Sequence, residues 1–367
     1  MADYGCAVAG GSPAYNRTGF PVWLPASPFI KIDQGGDSGN GEIALFVLDY
    51  ILAMNASADA LAYLHIAIAV AEYYVSHFSV NATTGRVVIT PTQVLESFWC
   101  DYNANSHEFQ NCCADDTPSV TAMMAVFEKL LKLPDGVLTP SQAANFSAFS
   151  HALPELPISS TANGSIVAAG RVLSSRRHNH EGPELYAIHP HRVFTRGRAV
   201  ASGAAADALD LAIRTFNSTA VPGGFSYSNS GWSYAINAAA LLGGALTNTA
   251  AQMLVERATT PPAQGYRFPA FAQHFQDFDP SADFFANHNR ALQDMVLQSG
   301  EDDYARDTIV LLPSWPCSWD VNAKLWAARN TTVEIDWQGG TLKSLVVTPA
   351  SRGAAVVWAN CAGKETY

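Results

Sequence analysis

GWSYAINAAALLGGALTNTAAQMLVERAT, residues 231–259, is the stretch whose reading decides the fold. It carries two Ala-rich apolar runs, Trp232–Leu246 and Thr249–Thr259, separated by Thr247-Asn248. The spacing predicts a pair of helices packed side by side, with no strand between them. The same signature extends in both directions. Upstream, Glu42–Met54, Ala58–Phe78, Val120–Lys132, Thr139–Phe149 and Ala201–Phe216 show apolar residues at three- and four-residue spacing, and downstream Asn287–Leu297 does so. Ser57 reads as an N-cap, and Thr139-Pro140 as an N-cap followed by a proline in the first turn. Val87–Pro91 predicts a short edge strand and Thr92–Cys100 a helical turn. At Ile309 the character changes. Ile309–Pro313, Thr332–Trp337, Leu342–Thr348 and Ala354–Trp358 are short and β-branched, with a Gln338-Gly339-Gly340 turn. The expected division is an irregular segment 1–40, an α domain 41–305 and a small β-sandwich-like domain 306–367. Paired helices without β-α-β alternation point to a mainly α chain: a bundle, a solenoid or an α/α toroid. No 30–45-residue repeat supports the solenoid.

Composition narrows the function. The 367 residues carry a net charge of −11, and the pI is near 5.3. A nucleic-acid groove needs clustered Lys and Arg, so nucleic acid is not an expected partner. No apolar run is long enough and unbroken enough to predict a membrane partner; Tyr63, His65 and Glu72 interrupt the best candidate. The start lacks the pattern of a signal peptide. Seven Asn-x-Ser/Thr sequons, at Asn16, Asn55, Asn81, Asn145, Asn163, Asn217 and Asn330, nevertheless point to a secreted or lumenal protein. Six Cys, with no C-x-x-C pair, suit disulfides better than a zinc ribbon. Adjacent Cys112 and Cys113 either reach distant partners or stay as buried thiols.

Titratable residues crowd into HNHEGPELYAIHPHR, residues 178–192. Such crowding beside Pro turns marks a place where protons move or a metal sits. Glu181 and Glu184 suit a general acid whose pKa is raised by neighbouring apolar and aromatic groups. His178, His180, His189 and His191 form two H-x-H pairs, but the loop-like context weakens the metal reading, and we expect no metal and no cofactor. A second acidic run, QDFDPSADFFANHNR (276–290), places Asp277, Asp279, Asp283 and Asn287 at a helix start. These residues can cap that helix or hold a carboxylate that activates water. GDSG at 36–39 lacks the partners a serine-protease site requires, and Asp33–Glu42 fails calcium-loop spacing.

Six strings occur in a telling order: PELYAIHPHR (183–192), GWSYAINAAALLG (231–243), RFPAF (267–271), ALQDMVLQS (291–299), LLPSWPCSWDV (311–321) and NTTVEIDW (330–337). In order and spacing they resemble six-hairpin glycosidases related to glycoside hydrolase family 95, the α-L-fucosidase family. The resemblance implies a partial (α/α)6 toroid lacking its first helices, followed by a small C-terminal β domain. It also implies an inverting glycosidase whose partner is a carbohydrate. In the family an Asp lies eleven residues before an acidic position that begins a Met-Leu-Leu-Gln-Ser-like string, which reads DMVLQS here. Here that string opens at Asp294, which gives Asp283 the role of activating water. The family's general acid has no counterpart in Val167–Arg171, so Glu184 or Glu181 takes that role. Asp277 or Asn287 would assist Asp283, and His180, Arg192 and Trp232 would bind or stack on the sugar. A non-catalytic carbohydrate-binding relative and a metal-dependent hydrolase are the rival readings.

Overall fold

The structure, a computed structural model, describes residues 36–95, 97–103, 108–174, 177, 181–202, 206–218, 233–259, 282–300 and 307–361. Its helices are α1 (Gly36–Ala53), α2 (Ala58–Leu61), α3 (Leu64–His77), α4 (Thr117–Leu131), α5 (Pro140–Ala152), α6 (Arg196–Ser202), α7 (Ala206–Phe216), α8 (Ala235–Leu242), α9 (Thr247–Thr259) and α10 (Ala282–Val296). Local chemistry sets their ends. Ser57 caps α2 by accepting from the Ala60 amide. Asp116 caps α4 through the Ser119 amide at 2.8 Å. Thr139 and Gln142 form a reciprocal capping box at the start of α5. Apolar Ala58–His77 would be long enough to cross a membrane as one piece. Here it breaks into α2 and α3, and α3 buries Leu64, Ala67, Ala71 and Tyr74.

The expectation of a mainly α chain, a partial (α/α)6 toroid followed by a small β domain, is corrected. Among the described residues, helix accounts for 47% and strand for 21%, in ten helices and several small sheets. No toroid is seen among the described residues. The reason lies between the helices, where short segments pair as strands, only one of which, at Val87–Val88, falls within an expected strand. Ser79–Val80 pairs with Val87–Val88, Asp101–Asn103 with Glu108–Gln110, Ala114–Asp116 with Gly170–Val172, and Ile158–Thr161 with Gly164–Val167. Thr92–Cys100 is not a helical turn; it makes isolated bridges, Thr92 to Cys113 and Val94 to Phe98. At the C-terminal end, Val321–Ala327, Thr331–Gln338 and Thr341–Thr348 form an antiparallel meander. Ile309–Leu311 pairs antiparallel with Leu297–Gln298, which directly follows α10, and parallel with Val356–Trp358. Hydrogen bonds therefore run across the expected 305/306 boundary.

Two cores result. One is built from α1, α3, α4 and α5 around Tyr74, Phe127, Phe146 and Phe149. The other joins α7, α8, α9 and α10 to Trp315, Ile335 and Trp337 of the β segments. α8 is apolar all round except for Asn237, and all eight of its residues are buried. The two cores meet along residues 185–194. Leu185 and Ile188 belong to the second, Val193 to the first, and Phe194 packs against both.

Candidate functional site

The stretch 181–194 lies on that seam, and seams between packed units are favoured places for small-molecule sites. A 3-10 turn, Pro183–Leu185, carries Glu184 inward. The chain then closes on itself: the His189 amide donates to Leu185 O at 3.0 Å and the Val193 amide to Ala187 O at 2.8 Å. The His189–Pro190 peptide is cis and Arg192 has φ +56°. Successive side chains of this stretch meet different neighbours.

Glu184 is 7% exposed and makes an ion pair with Arg177. Arg177 Nη1 also donates to Glu181 O at 2.8 Å, and its guanidinium lies 5.0 Å from the centre of the Phe98 ring. Burial pushes the Glu184 carboxyl up, with Arg177 opposing it. Its second oxygen, Oε2, meets no hydrogen-bonding partner among the described residues. Tyr234, at the start of α8, stands beside these glutamates: burial, then the charges of Tyr186, Glu181 and Glu184, push its phenol well up. The Tyr186 ring packs edge-on against Tyr234 at 5.2 Å and against His191 at 5.4 Å. His191 is buried, its Nδ1 sits 2.7 Å from Thr121 Oγ1 of α4, and its Nε2 has no partner among the described residues. Burial, reinforced by His189, holds His191 down to about 3, so its ring is neutral at ordinary pH. Glu181, Tyr186, His189 and Tyr234 are half-buried.

Glu42 of α1 is a further member, and the sequence pattern did not single it out as a site residue. It is half-buried, and burial raises its carboxyl to about 7. Its charge is felt at the Tyr186 phenol. Neighbouring Gly41 explains the approach: a Cβ there would sit 2.6 Å from Ala122 Cβ, so α1 can close on α4 only at a glycine. The signal available in the sequence was a Gly-Glu pair opening the otherwise apolar run Ile43–Leu48.

Arg192 does not join the glutamates. Its Nη1 reaches Asp294 Oδ1 at 3.2 Å, and Arg290 Nε holds the other oxygen at 2.8 Å. Asp294 is therefore kept ionised, its carboxyl below the usual range because Arg290 and Arg192 outweigh its burial. Arg192, Arg290, Asp294 and Trp326 face a cavity of about 70 Å³. His189 links the two groups: its ring lies 6.0 Å from Tyr234, and burial holds it down to about 3 with Asp294 opposing the shift. Asn287 lies nearby through its backbone, with Asn237 Nδ2 donating to its carbonyl at 3.0 Å. Asn237 follows Tyr234 by three residues on α8, and Asp283 precedes Asn287 by one turn on α10. The side chain of Asp283, and all of His178, His180, Trp232, Asp277 and Asp279, lie outside the described residues. Among the described residues no three His, Cys, Asp or Glu are grouped to hold a metal.

The arrangement can hold and move protons: carboxyl groups of raised pKa, two phenols and a neutral imidazole lie along the seam between the two cores. No protein-family model matches the chain, and no curated protein matches it.

Proposed function

We propose that this chain is a glycoside hydrolase that removes a terminal sugar of the α-L-fucoside type from a glycan, with inversion of configuration. One observation carries the reading: Glu42 and Glu181 act electrostatically on the Tyr186 phenol, and Tyr186, Glu181 and Glu184 on the Tyr234 phenol, where the two cores meet. Inversion needs an acid for the leaving oxygen and a separate base for water, roughly 6.5–9.5 Å apart. Glu42, which keeps its proton to about pH 7, is the better acid than Glu184, which is tied to Arg177. Glu184 and Glu181 then set the polarity around the two phenols, and Tyr186 and Tyr234 offer faces for the apolar side of a sugar ring. Asp283 activates water, as the resemblance implies. The sequons, together with the Cys100–Cys112 and Cys317–Cys361 disulfides, support a secreted or lumenal setting.

The test is hydrolysis of aryl glycosides, α-L-fucosides first, with the anomer of the released sugar read by proton NMR before mutarotation. E42Q should lower kcat at least about 100-fold and remove the fall in rate near pH 7, and D283N should abolish turnover. Turnover unchanged in both variants would sink the assignment. The Arg177–Glu184 ion pair favours a second reading, a carbohydrate-binding relative without catalysis. Sugar binding with no hydrolysis, equal in wild type and D283N, would establish it.

A further inference from the structure

The hairpin Ile158–Val167 lies along α7. The Val167 amide donates to Thr215 Oγ1 at 2.9 Å, and Arg214 Nε donates to Ser165 O at 3.0 Å. The Arg214 side chain crosses directly above Gly164 (φ +106°), where an added Cβ would meet it at 3.4 Å. At the tip, the Asn163 amide donates to Thr161 Oγ1 at 3.2 Å, which fixes the turn. Hairpin and helix end enclose a cavity of about 230 Å³ walled by Thr161, Asn163, Ile166, Arg214, Asn217 and Ser218.

Two of those wall residues head sequons: Asn163-Gly164-Ser165 and Asn217-Ser218-Thr219. They are far apart in the chain, and the fold brings both to the wall of one cavity. Both are exposed, as are the other sequon asparagines within the described residues, Asn55, Asn81, Asn145 and Asn330. A glycan is bulky and solvated, so its acceptor has to stand at the surface. The cavity's chemistry suits an acetamido sugar. Ile166 gives an apolar wall for the acetyl methyl, and Arg214, Thr161 and Ser218 give polar groups for hydroxyls.

We propose that Asn163 and Asn217 both carry N-linked glycans, and that the first N-acetylglucosamine of one of them seats in this cavity and fastens the hairpin to α7. In each transfer the asparagine Nδ2 attacks C1 of a lipid-diphosphate-linked oligosaccharide. The N–C1 bond forms, the C1–O bond to the diphosphate breaks, Nδ2 gives up one proton, and the lipid diphosphate leaves. The proposal rests on the secretory setting given above and is independent of the hydrolase reading, so either can fail alone.

The full chain is expressed behind a secretory leader in a eukaryotic cell, and its glycopeptides are mapped by mass spectrometry. Asn163→Gln and Asn217→Gln should each lose one glycan, and Ser165→Ala and Thr219→Val should do the same without touching the asparagines. Hydrogen exchange at the Val167 amide then separates a seated sugar from a merely attached one. Protein trimmed by an endoglycosidase to a single N-acetylglucosamine per site should exchange like the untrimmed protein. The doubly substituted variant should exchange about tenfold faster. An unmodified Asn163 or Asn217 in the secreted protein overturns the modification, and equal exchange in trimmed and glycan-free protein overturns the seating.

Discussion

At the scale of single residues, the seam is defined by groups whose protonation the fold has moved. Burial lifts Glu42 from 4.5 to about 7. The folded chain therefore binds this proton more tightly than the unfolded chain between those values. The associated stability is complete below pH 4.5 and is lost as pH rises through 7. His189 and His191 act in the opposite sense. Burial holds both down to about 3, so they stay neutral in the folded chain while an unfolded chain would protonate them below 6.5. Their contribution is complete above 6.5 and is lost as pH falls toward 3. The two slopes oppose each other between pH 4.5 and 6.5, and removing one exposes the other. E42Q should match wild type at pH 4 and be more stable at pH 8, by on the order of 2 kcal/mol after allowance for solvent screening. Urea unfolding at the two pH values measures this, and a difference that does not change with pH would show that Glu42 titrates normally.

Between residue and fold stand the elements, and what was legible in the sequence divides by how local the cause is. The Thr139-Pro140 start of α5, the Ser57 cap and the span of α4 could be read because caps and apolar spacing act within a turn or two. The Ile158–Val167 hairpin could not, since ISSTANGSIV has no alternating apolar face and is ordered by Thr215 and Arg214, about fifty residues away. The site divides in the same way. Glu181 and Glu184 stood out because titratable groups crowd around them in the sequence, whereas Glu42 acquires its meaning only from Tyr186, far along the chain. Gly243 is a case where a local signal has a non-local cause. It ends α8 at φ +54°, and an added Cβ would lie 2.3 Å from Pro313 O, so the close approach of the Pro313 turn to α8 requires a glycine. Gly243→Ala combines left-handed backbone strain with a clash against backbone that cannot rotate away. The expected loss is about 2–4 kcal/mol in urea unfolding. A loss below about 0.5 kcal/mol would mean that the α8–Pro313 contact is looser than described.

For the whole molecule, the question is whether the C-terminal β segments are an appendage or part of the second core. Trp315, Ile335 and Trp337 are buried among α8, α9 and α10, and Trp358 packs against them. Val356–Trp358 pairs with Ile309–Leu311, which pairs in turn with the strand continuing from α10. Asp307 is buried and held by Arg352 at 2.7 Å, a second tie between the ends of this segment. The Cys317–Cys361 disulfide closes a loop of 44 residues around these contacts. Loop-closure entropy for that length corresponds to about 4 kcal/mol. If the segments were an appendage, opening the bridge would release the tail and leave the helices' transition unchanged. Because they share a core, the loss should appear in the main transition. A Cys317→Ala/Cys361→Ala variant should therefore unfold at lower urea in one step, with helix signal by far-ultraviolet circular dichroism and Trp fluorescence moving together. Two separated transitions, with the helix signal unshifted, would show instead that the second core ends with α10.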